Sequence, residues 1–373
     1  MNAPRVTPTD IPGLLVLDLH RVEDSRGWMQ EAWQREKMTA AGLPDFGPVQ
    51  NNVSVNATAG VTRGFHAEPW DKLISVATGR IFGAWVDLRE GPSFGRIVSL
   101  EVEPGRGVFV PRGVGNAYQA LEDGTCYTTL INEHWSEEAR ESATFTNLDH
   151  PSVEWPIPLS DAVLSDADQA HPALDDVEPA QRPRPLIIGA DGEFGTALRE
   201  ELRDAQFADH DDLDVTDPDA VAALDFRNIS AIINAAGLAG VDGAEADARA
   251  EAWRVNVTGS ANLVAAARDH RIPLVHLSSS RVFGDGELHD EDEAVSPGDP
   301  EGAVQAAADA VVATWQHHYI LRADRASVED LSGAIVHVLT GPVPYGIYNV
   351  SSEAGARLDK LRDTGFEPRA DAT

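Results

Sequence analysis

Three glycines, Gly189, Gly192 and Gly195, form the clearest chemical pattern in the sequence. They follow a short apolar run, PLIIGA, and precede a stretch with helical spacing. Such a turn bends the backbone sharply, lets a diphosphate approach it and brings the helix close to the strand, while free N–H groups at the helix start bind the anion. The pattern predicts a dinucleotide-binding turn. The alternative is a tight strand-to-helix turn that binds no ligand.

Alternating strands and helices must position this turn. Two further apolar runs, 231–237 and 273–280, are predicted strands, and the stretches 196–205 and 250–270 have helical spacing. Strands separated by helices of this length form a parallel sheet with crossover helices. The second half is therefore predicted to be an α/β domain.

The first 160 residues have a different rhythm. Short apolar runs are broken by Gly, Pro and Asp. Along 81–88, the residues at odd positions form one set and those at even positions another, as on the two sides of a strand. This pattern predicts an antiparallel β sandwich or barrel. A stretch rich in charge and proline separates the halves, so we predict domains over 1–175 and 185–373 with a linker over 176–184.

Composition limits the function. With 61 acidic and 29 basic residues among 373, the formal net charge is −32, which argues against binding to nucleic acid or to anionic membranes. Cys126 is the only cysteine, so a disulfide within the chain and a cysteine zinc cluster are both excluded. We expect a cytoplasmic protein, because neither a signal peptide nor an 18-residue apolar run is present.

The second half resembles the dTDP-4-dehydrorhamnose reductase family of extended short-chain dehydrogenases. The resemblance rests on GADGEFGTAL, the run at 214–221, NAAGLAGVDGAEA (234–246), VNVTGSANLVAAA and VHLSSSRVFGDG. It implies a Rossmann fold that holds NADP(H) or NAD(H). The cofactor residues that it implies are Gly189, Gly192, Gly195, Asp214, Val215, Asn234, Ala235, Ala236 and Ser279.

This half departs from the family at the catalytic pair. The family uses Tyr-xxx-Lys for proton transfer, but Glu301 and Gln305 stand at those positions and no Tyr-xxx-Lys occurs in the chain. Ser279 matches the family's hydroxyl position, and Ser280 replaces the aspartate that usually follows. Much of the substrate lobe is also missing. We therefore predict that reductase activity is lost.

The first half resembles dTDP-4-dehydrorhamnose 3,5-epimerase, a cupin-type jelly roll that works as a homodimer. The resemblance rests on DSRGWMQE, VQNNVS, the long segment 62–96, VFVPRGVGNAYQAL, EWPIPL and LSDADQAHP. It implies a dTDP-4-keto-6-deoxy sugar as substrate and no cofactor.

Epimerisation next to a ketone needs a base, an acid across the ring and a cation that stabilises the enolate. His66 is the predicted base, because histidine titrates near neutral pH. The resemblance implies that Asp168 fixes its tautomer, with Asp166 as the fallback, and that Lys72 stabilises the enolate. No metal is predicted.

The resemblance also implies a nucleotide-sugar site. Arg26 and Arg63 are expected to hold the diphosphate. The other substrate-binding candidates are Glu31, Gln50, Asn52, Trp135 and Asn116, which replaces a family histidine.

The sequence leaves open which residue is the acid. The family tyrosine is expected at Thr129, whose hydroxyl is too weakly acidic to replace a phenol. Tyr127 lies two positions earlier and points to the same side of a strand. Either Tyr127 is the acid, or it is a core aromatic and the acid is lost.

Three functions follow from these residues. The first is a 3,5-epimerase of dTDP-L-rhamnose synthesis with a degenerate reductase domain. The second is a bifunctional epimerase and NADPH-dependent reductase. The third is a non-catalytic protein that binds a nucleotide sugar.

Overall fold

The computed structural model describes residues 4–237, 246–285, 289–341, 343–352 and 359–368. The chain divides into two compact units, Met1–Arg182 and Pro183–Thr373. Within the resembling segment 234–246, residues 238–245 lie outside the described residues. No helix in the described ranges is long and apolar enough to cross a membrane.

The first unit is an antiparallel β sandwich, as predicted. Its strands are β1 (Arg5–Pro8), β2 (Leu15–Asp18), β3 (Arg21–Asp24), β4 (Gly27–Gln30), β5 (Gln50–Asn56), β6 (Thr62–Ala67), β7 (Lys72–Thr78), β8 (Ile81–Asp87), β9 (Ile97–Val102), β10 (Arg106–Val110), β11 (Val114–Ala120), β12 (Thr125–Ile131) and β13 (Thr144–Phe145). Its short helices are α1 (Arg35–Ala40), α2 (Glu137–Glu141) and α3 (Asp166–Ala170).

Two sheets form this sandwich. One has the order β1-β2-β10-β7-β12-β5, the other has the order β13-β6-β11-β8-β9, and β3 and β4 form a separate hairpin. Gly79 has φ of 74° in the two-residue connection between β7 and β8, a backbone conformation that favours glycine. The central strands β7, β8, β10 and β11 are buried along most of their length, so both sides of each strand are covered.

The apolar residues of the strands sort into layers. Ile74, Trp85 and Tyr127 belong to the layer between the sheets, whereas Leu73 packs outward together with α1 residues such as Met38. We call the side of each sheet that carries the first set the interior face. Period-two alternation produces this division, since successive side chains of a strand point to opposite sides.

The first residues of the predicted linker pack against the first unit. Val177 is buried there, and the backbone of Ala180 exchanges hydrogen bonds with Leu88 and Glu90. Arg184 already belongs to the first strand of the second unit. The boundaries at 175 and 185 remain predictions.

The second unit contains a parallel sheet with helices on both faces. Its strands are β14 (Arg184–Ile188), β15 (Gln206–Ala208), β16 (Ile229–Asn234), β17 (Leu274–Ser279), β18 (His318–Ala323) and β19 (Gly346–Val350). Its helices are α4 (Glu193–Glu201), α5 (Pro218–Ala222), α6 (Ala246–Trp253), α7 (Ser260–His270), α8 (Pro300–Val312), α9 (Val328–Thr340) and α10 (Asp359–Arg362), with a π turn over Arg254–Gly259.

The strand order is β15-β14-β16-β17-β18-β19, so the chain moves to opposite sides of β14. A crevice opens where a parallel sheet reverses direction in this way, at the carboxyl ends of its strands. The predicted strands are confirmed. The predicted helix over 196–205 instead begins at Glu193, directly after Gly192, because the glycine turn itself caps it.

Candidate functional site

Lys72 and Tyr127 lie on the interior face of the six-stranded sheet. Ile74 and Val76 of β7 belong to the layer between the sheets, so Lys72, at the same parity, points to the same side. Thr129 pairs with Ile74 and therefore also faces inward beside Tyr127. The neighbouring edge strand β5 adds inward-facing polar residues at Asn52, which pairs with Thr129, and at Gln50.

His66 lies on the interior face of the other sheet. It pairs with Asn116 of β11, which in turn pairs with Trp85, and the Trp85 side chain is in the layer between the sheets. Phe65, the preceding residue, packs on the outer side. The strand pattern of β6 therefore points the imidazole inward.

His66 and Asp168 form a close pair. Nε2 of His66 lies 2.7 Å from Oδ1 of Asp168, although the residues are 102 positions apart. Ser165 caps the short helix α3 and accepts from the Asp168 N–H at 3.1 Å. Burial alone raises the pKa of the Asp168 carboxyl, but hydrogen bonds from His66 and Ser165 outweigh it and leave the pKa below its usual range. The carboxylate thus stays ionised beside the ring.

Lys72 is buried but has a partner. Its side chain is 4% exposed, its Nζ contacts a carboxylate oxygen of Glu68, and the His66 carbonyl oxygen lies 3.5 Å away. A buried ammonium needs such a partner to remain charged. The positive charge is therefore held next to the His66 backbone.

Tyr127 lies in the sandwich with its hydroxyl against Asn116. The Asn116 amide donates to the Tyr127 oxygen at 3.2 Å and accepts from the Trp85 indole at 2.9 Å. Tyr127 also stacks on Tyr118 with ring centroids 4.3 Å apart. Burial raises the pKa of the Tyr127 phenol, and Tyr118 adds to that rise. The phenol is consequently protonated at neutral pH.

The remaining predicted residues lie in different places. Arg63 is opposite Tyr118 on the next strand, with its guanidinium beside the tyrosine hydroxyl. Arg26 is in the β3–β4 turn, strongly exposed and paired with Asp24 at 2.5 Å. Glu31 pairs with Lys37 at 2.8 Å, and Trp135 is exposed, with its backbone N–H donating to Oε1 of Gln50. Arg26 and Glu31 thus form ion pairs with residues that were not predicted for the site.

A cavity of about 300 Å³ occupies the crevice of the second unit. Six of the nine predicted cofactor residues line it: Gly189, Gly192, Asp214, Val215, Ala235 and Ala236. Asn234 lies below, donating to Ser260 Oγ and accepting from the Ala236 N–H, each at 3.2 Å. That side chain holds the loop that forms the cavity wall.

The glycine turn has little room for side chains. A Cβ on Gly189, whose φ is 83°, would lie 2.6 Å from the Ala236 nitrogen, and one on Gly195 would lie 2.2 Å from the Gly189 oxygen. Gly192 lines the cavity, where a Cβ would lie 3.3 Å from the Gly189 oxygen, and it precedes α4, whose first N–H groups have no partner within the helix. The turn thus has the shape that a diphosphate needs.

Ser279 does not line this cavity. Its hydroxyl contacts the amide oxygen of Gln305 on α8, at the position where the reductase family has lysine. Glu301 is buried on the same helix and lies 3.8 Å from Arg281. Ser279 and Gln305 are therefore in contact, as the predicted alignment requires. A carboxylate, Glu301, stands where the family has the phenol, and an amide, Gln305, stands where it has the ammonium.

Comparison with known proteins gives the first unit its family. The family model for dTDP-4-dehydrorhamnose 3,5-epimerase matches residues 8–176. A protein of Streptococcus pyogenes named as an RmlC homolog is 45% identical over 177 residues, which is 46% of this chain and 89% of that protein. The chain belongs to the dTDP-4-dehydrorhamnose 3,5-epimerase family.

Further similar proteins come from sequence and structure comparisons. The dTDP-4-dehydrorhamnose 3,5-epimerase of Sinorhizobium fredii is 32% identical over 160 residues, which is 40% of this chain and 80% of that epimerase. Among solved structures, RmlC of Streptococcus suis in complex with dTDP-D-xylose is 42% identical, with a TM-score of 0.46, and covers 48% of this chain and 95% of its own. The model for the RmlD substrate binding domain matches residues 184–325, so the epimerase-family unit is fused to an RmlD-like unit.

Three neighbours of the epimerase-family site were not singled out from the sequence. Glu68 contacts Lys72, and Phe145 and His171 pack around His66 with ring centroids 5.5 and 5.6 Å away. His171 follows Asp168 closely in the quoted segment LSDADQAHP, which was the available signal. Phe145 has no comparable signal, because it reaches His66 only through the pairing of β13 with β6.

Proposed function

We propose that the first unit catalyses 3,5-epimerisation of dTDP-4-dehydro-6-deoxy-glucose in dTDP-L-rhamnose synthesis. The observation that carries the proposal is the His66–Asp168 pair at 2.7 Å on the interior face. Asp168 accepts the Nε2 proton of His66, which leaves a lone pair on Nδ1. Nδ1 then removes a proton from the carbon next to the ketone.

Charge develops on the ketone oxygen when the C–H bond breaks. Lys72 supplies the cation that offsets the enolate, and its salt bridge to Glu68 keeps it in place. Tyr127 then delivers its phenolic proton to the opposite face of the carbon, since a proton bound α to a ketone is held more tightly than one on a phenol. Solvent returns the His66 proton to the phenolate, and the cycle repeats at the second carbon.

The deciding experiment incubates the 4-keto sugar nucleotide with the full chain in D₂O and follows deuterium at C3 and C5 by mass spectrometry and NMR. We expect incorporation at both carbons together with the inverted product. An enzyme that shows neither, while still binding the nucleotide sugar, is the non-catalytic protein and not an epimerase.

Replacing Lys72 with methionine is expected to slow exchange by about 10²–10³-fold, the usual cost of losing one group that stabilises an oxyanion. Methionine keeps the length of the side chain and removes the charge. The measurement is the initial rate of deuterium incorporation at saturating substrate.

Two controls separate chemistry from folding. Lys360→Met removes a lysine of α10 in the second unit and should leave the rate unchanged. The double variant Lys72→Met/Glu68→Gln leaves no unpaired buried carboxylate and should be as slow as Lys72→Met. Exchange at the wild-type rate in either Lys72 variant contradicts the role of Lys72.

The site is proposed to work in a homodimer. Val53 and Val55 are 59% and 66% exposed on the outer side of the edge strand β5. Met29 of the β3–β4 hairpin is 59% exposed. A second copy would remove these apolar side chains from water.

For the second unit we propose a Rossmann-type nucleotide site that binds a nicotinamide dinucleotide without turnover. The backbone at Gly192 and the start of α4 would hold its diphosphate, and Gly189 and Gly195 allow the close turn that this requires. When bound, such a group supplies a hydride, but a ketone also needs a proton donor at the position held by Glu301 and Gln305. Four carboxylates line the cavity, which disfavours a 2′-phosphate. These are Asp191, Asp209, Asp214 and Glu251.

We therefore expect NADH to bind more tightly than NADPH, with no sugar-dependent oxidation of either. Gly192→Asp should abolish binding, measured by NADH fluorescence, because it places a negative charge at the diphosphate position. Ala222→Asp adds the same charge at an exposed position of α5 and should have no effect. Steady oxidation of NADPH coupled to epimerisation would instead establish the bifunctional enzyme.

A further inference from the structure

His171 completes a cluster of three metal-type ligands with the proposed base. One ring nitrogen each of His66 and His171 and one carboxylate oxygen of Asp168 lie within 4.8 Å of one another. The proposed epimerisation uses two of these residues and leaves the third without a role. Two imidazoles and one carboxylate are a common ligand set for divalent transition metals.

The rings of this cluster are held by packing. Phe145 stacks on His171 with centroids 4.8 Å apart and meets the His66 ring edge-on at 5.5 Å. Nδ1 of His171 is buried and has no hydrogen-bond partner among the described residues. An unpartnered buried nitrogen is costly to maintain, and a cation that coordinates this ring would relieve that cost.

The geometry admits a small cation with modest movement. Three atoms separated by no more than 4.8 Å share a point at most about 2.8 Å from each. Zinc binds nitrogen and carboxylate oxygen at about 2.0–2.2 Å, so each donor moves by less than about 1 Å. The His66 side chain is 33% exposed, which leaves a path for entry and an open position for water.

We propose that His66, Asp168 and His171 bind a divalent transition-metal cation of the zinc class, and that this binding switches the epimerase off. The cation takes the Nε2 lone pair of His66, and the proton of the neutral ring moves to Nδ1. Nδ1 then has no lone pair with which to remove a proton from carbon. The inhibition rests on the proposed epimerase function, whereas the binding does not.

Cobalt tests the binding directly, because Co²⁺ absorbs visible light in a way that reports its ligands. The full chain, first freed of metal with a chelator, is titrated with Co²⁺ alone. We expect one equivalent to give the absorption of a four- or five-coordinate ion with nitrogen ligands. His171→Phe keeps the ring that stacks on Phe145 but removes both nitrogens, and it should lose this absorption. His134→Ala removes an exposed histidine outside the cluster and should retain it.

Zinc tests the consequence. Deuterium incorporation is measured with and without Zn²⁺, and each protein is compared with its own metal-free rate. We expect at least a tenfold loss of rate in wild type and in His134→Ala, and a loss of less than twofold in His171→Phe. An absent cobalt spectrum in wild type, or one that persists in folded His171→Phe, overturns the site. If the chain catalyses no exchange, the cobalt result still decides the metal site, while the epimerase proposal fails separately.

Discussion

His66→Ala is expected to lower deuterium incorporation into the 4-keto sugar by about 10²–10⁴-fold, the range for loss of a positioned general base. The reason is geometric as well as chemical. Asp168 lies 2.7 Å from Nε2 and fixes the ring, and alanine removes both the base and this orienting contact. The rate is measured in D₂O at saturating sugar nucleotide, with binding of dTDP checked separately.

Two aspartate variants of α3 test the role of Asp168 beside His66. Asp168→Asn leaves the shape but removes the charge that holds the Nε2 proton, and we expect a loss close to that of His66→Ala. Asp166→Asn changes an exposed residue of the same helix and should leave the rate intact. A slow Asp166→Asn with a normal Asp168→Asn would reverse the assignment in favour of Asp166.

Tyr127→Phe is expected to uncouple exchange from inversion. His66 can still remove a proton and return deuterium to the same face, so exchange continues with retention of configuration. The opposite face has lost its proton donor, and the inverted product should form at least about 10²-fold more slowly. NMR distinguishes the two results, because the retained and inverted sugars differ in their ring coupling constants.

Two neighbours serve as controls for Tyr127. Tyr118→Phe keeps the stacked ring pair and removes a hydroxyl that bonds Asn56 at 3.2 Å, and it should still invert the sugar. Thr129→Val removes the hydroxyl at the position where the sequence placed the family tyrosine, and inversion should persist. If Tyr127→Phe produces the inverted sugar at the wild-type rate, Tyr127 is a core aromatic and the acid lies elsewhere.

Much of the architecture follows from local pattern. The alternation along 81–88 corresponds to β8, and the apolar runs 231–237 and 273–280 overlap β16 and β17. Element ends were less predictable. Helix α4 begins at Glu193, directly after the glycine turn. This is three residues before the stretch 196–205, whose spacing predicted the helix.

The candidate site was only partly predictable. His66, Asp168 and Lys72 could be identified because they lie within matching motif segments. Glu68 and His171 were not singled out, although both adjoin those motifs, because their importance depends on which way their side chains turn. Arg26 and Glu31 form local ion pairs in the described chain, and their predicted contacts with substrate stay predictions.

The sequence by itself determined the two fold classes, the family of the first half and the absence of Tyr-xxx-Lys from the second. These depend on residue types and on periods of two or about 3.6, which a linear chain displays directly. Only the tertiary structure decided that Tyr127 faces inward against Asn116 and that His171 meets His66. Those groups come from different strands and loops, and strand register together with sheet packing, rather than sequence distance, brings their side chains to one place.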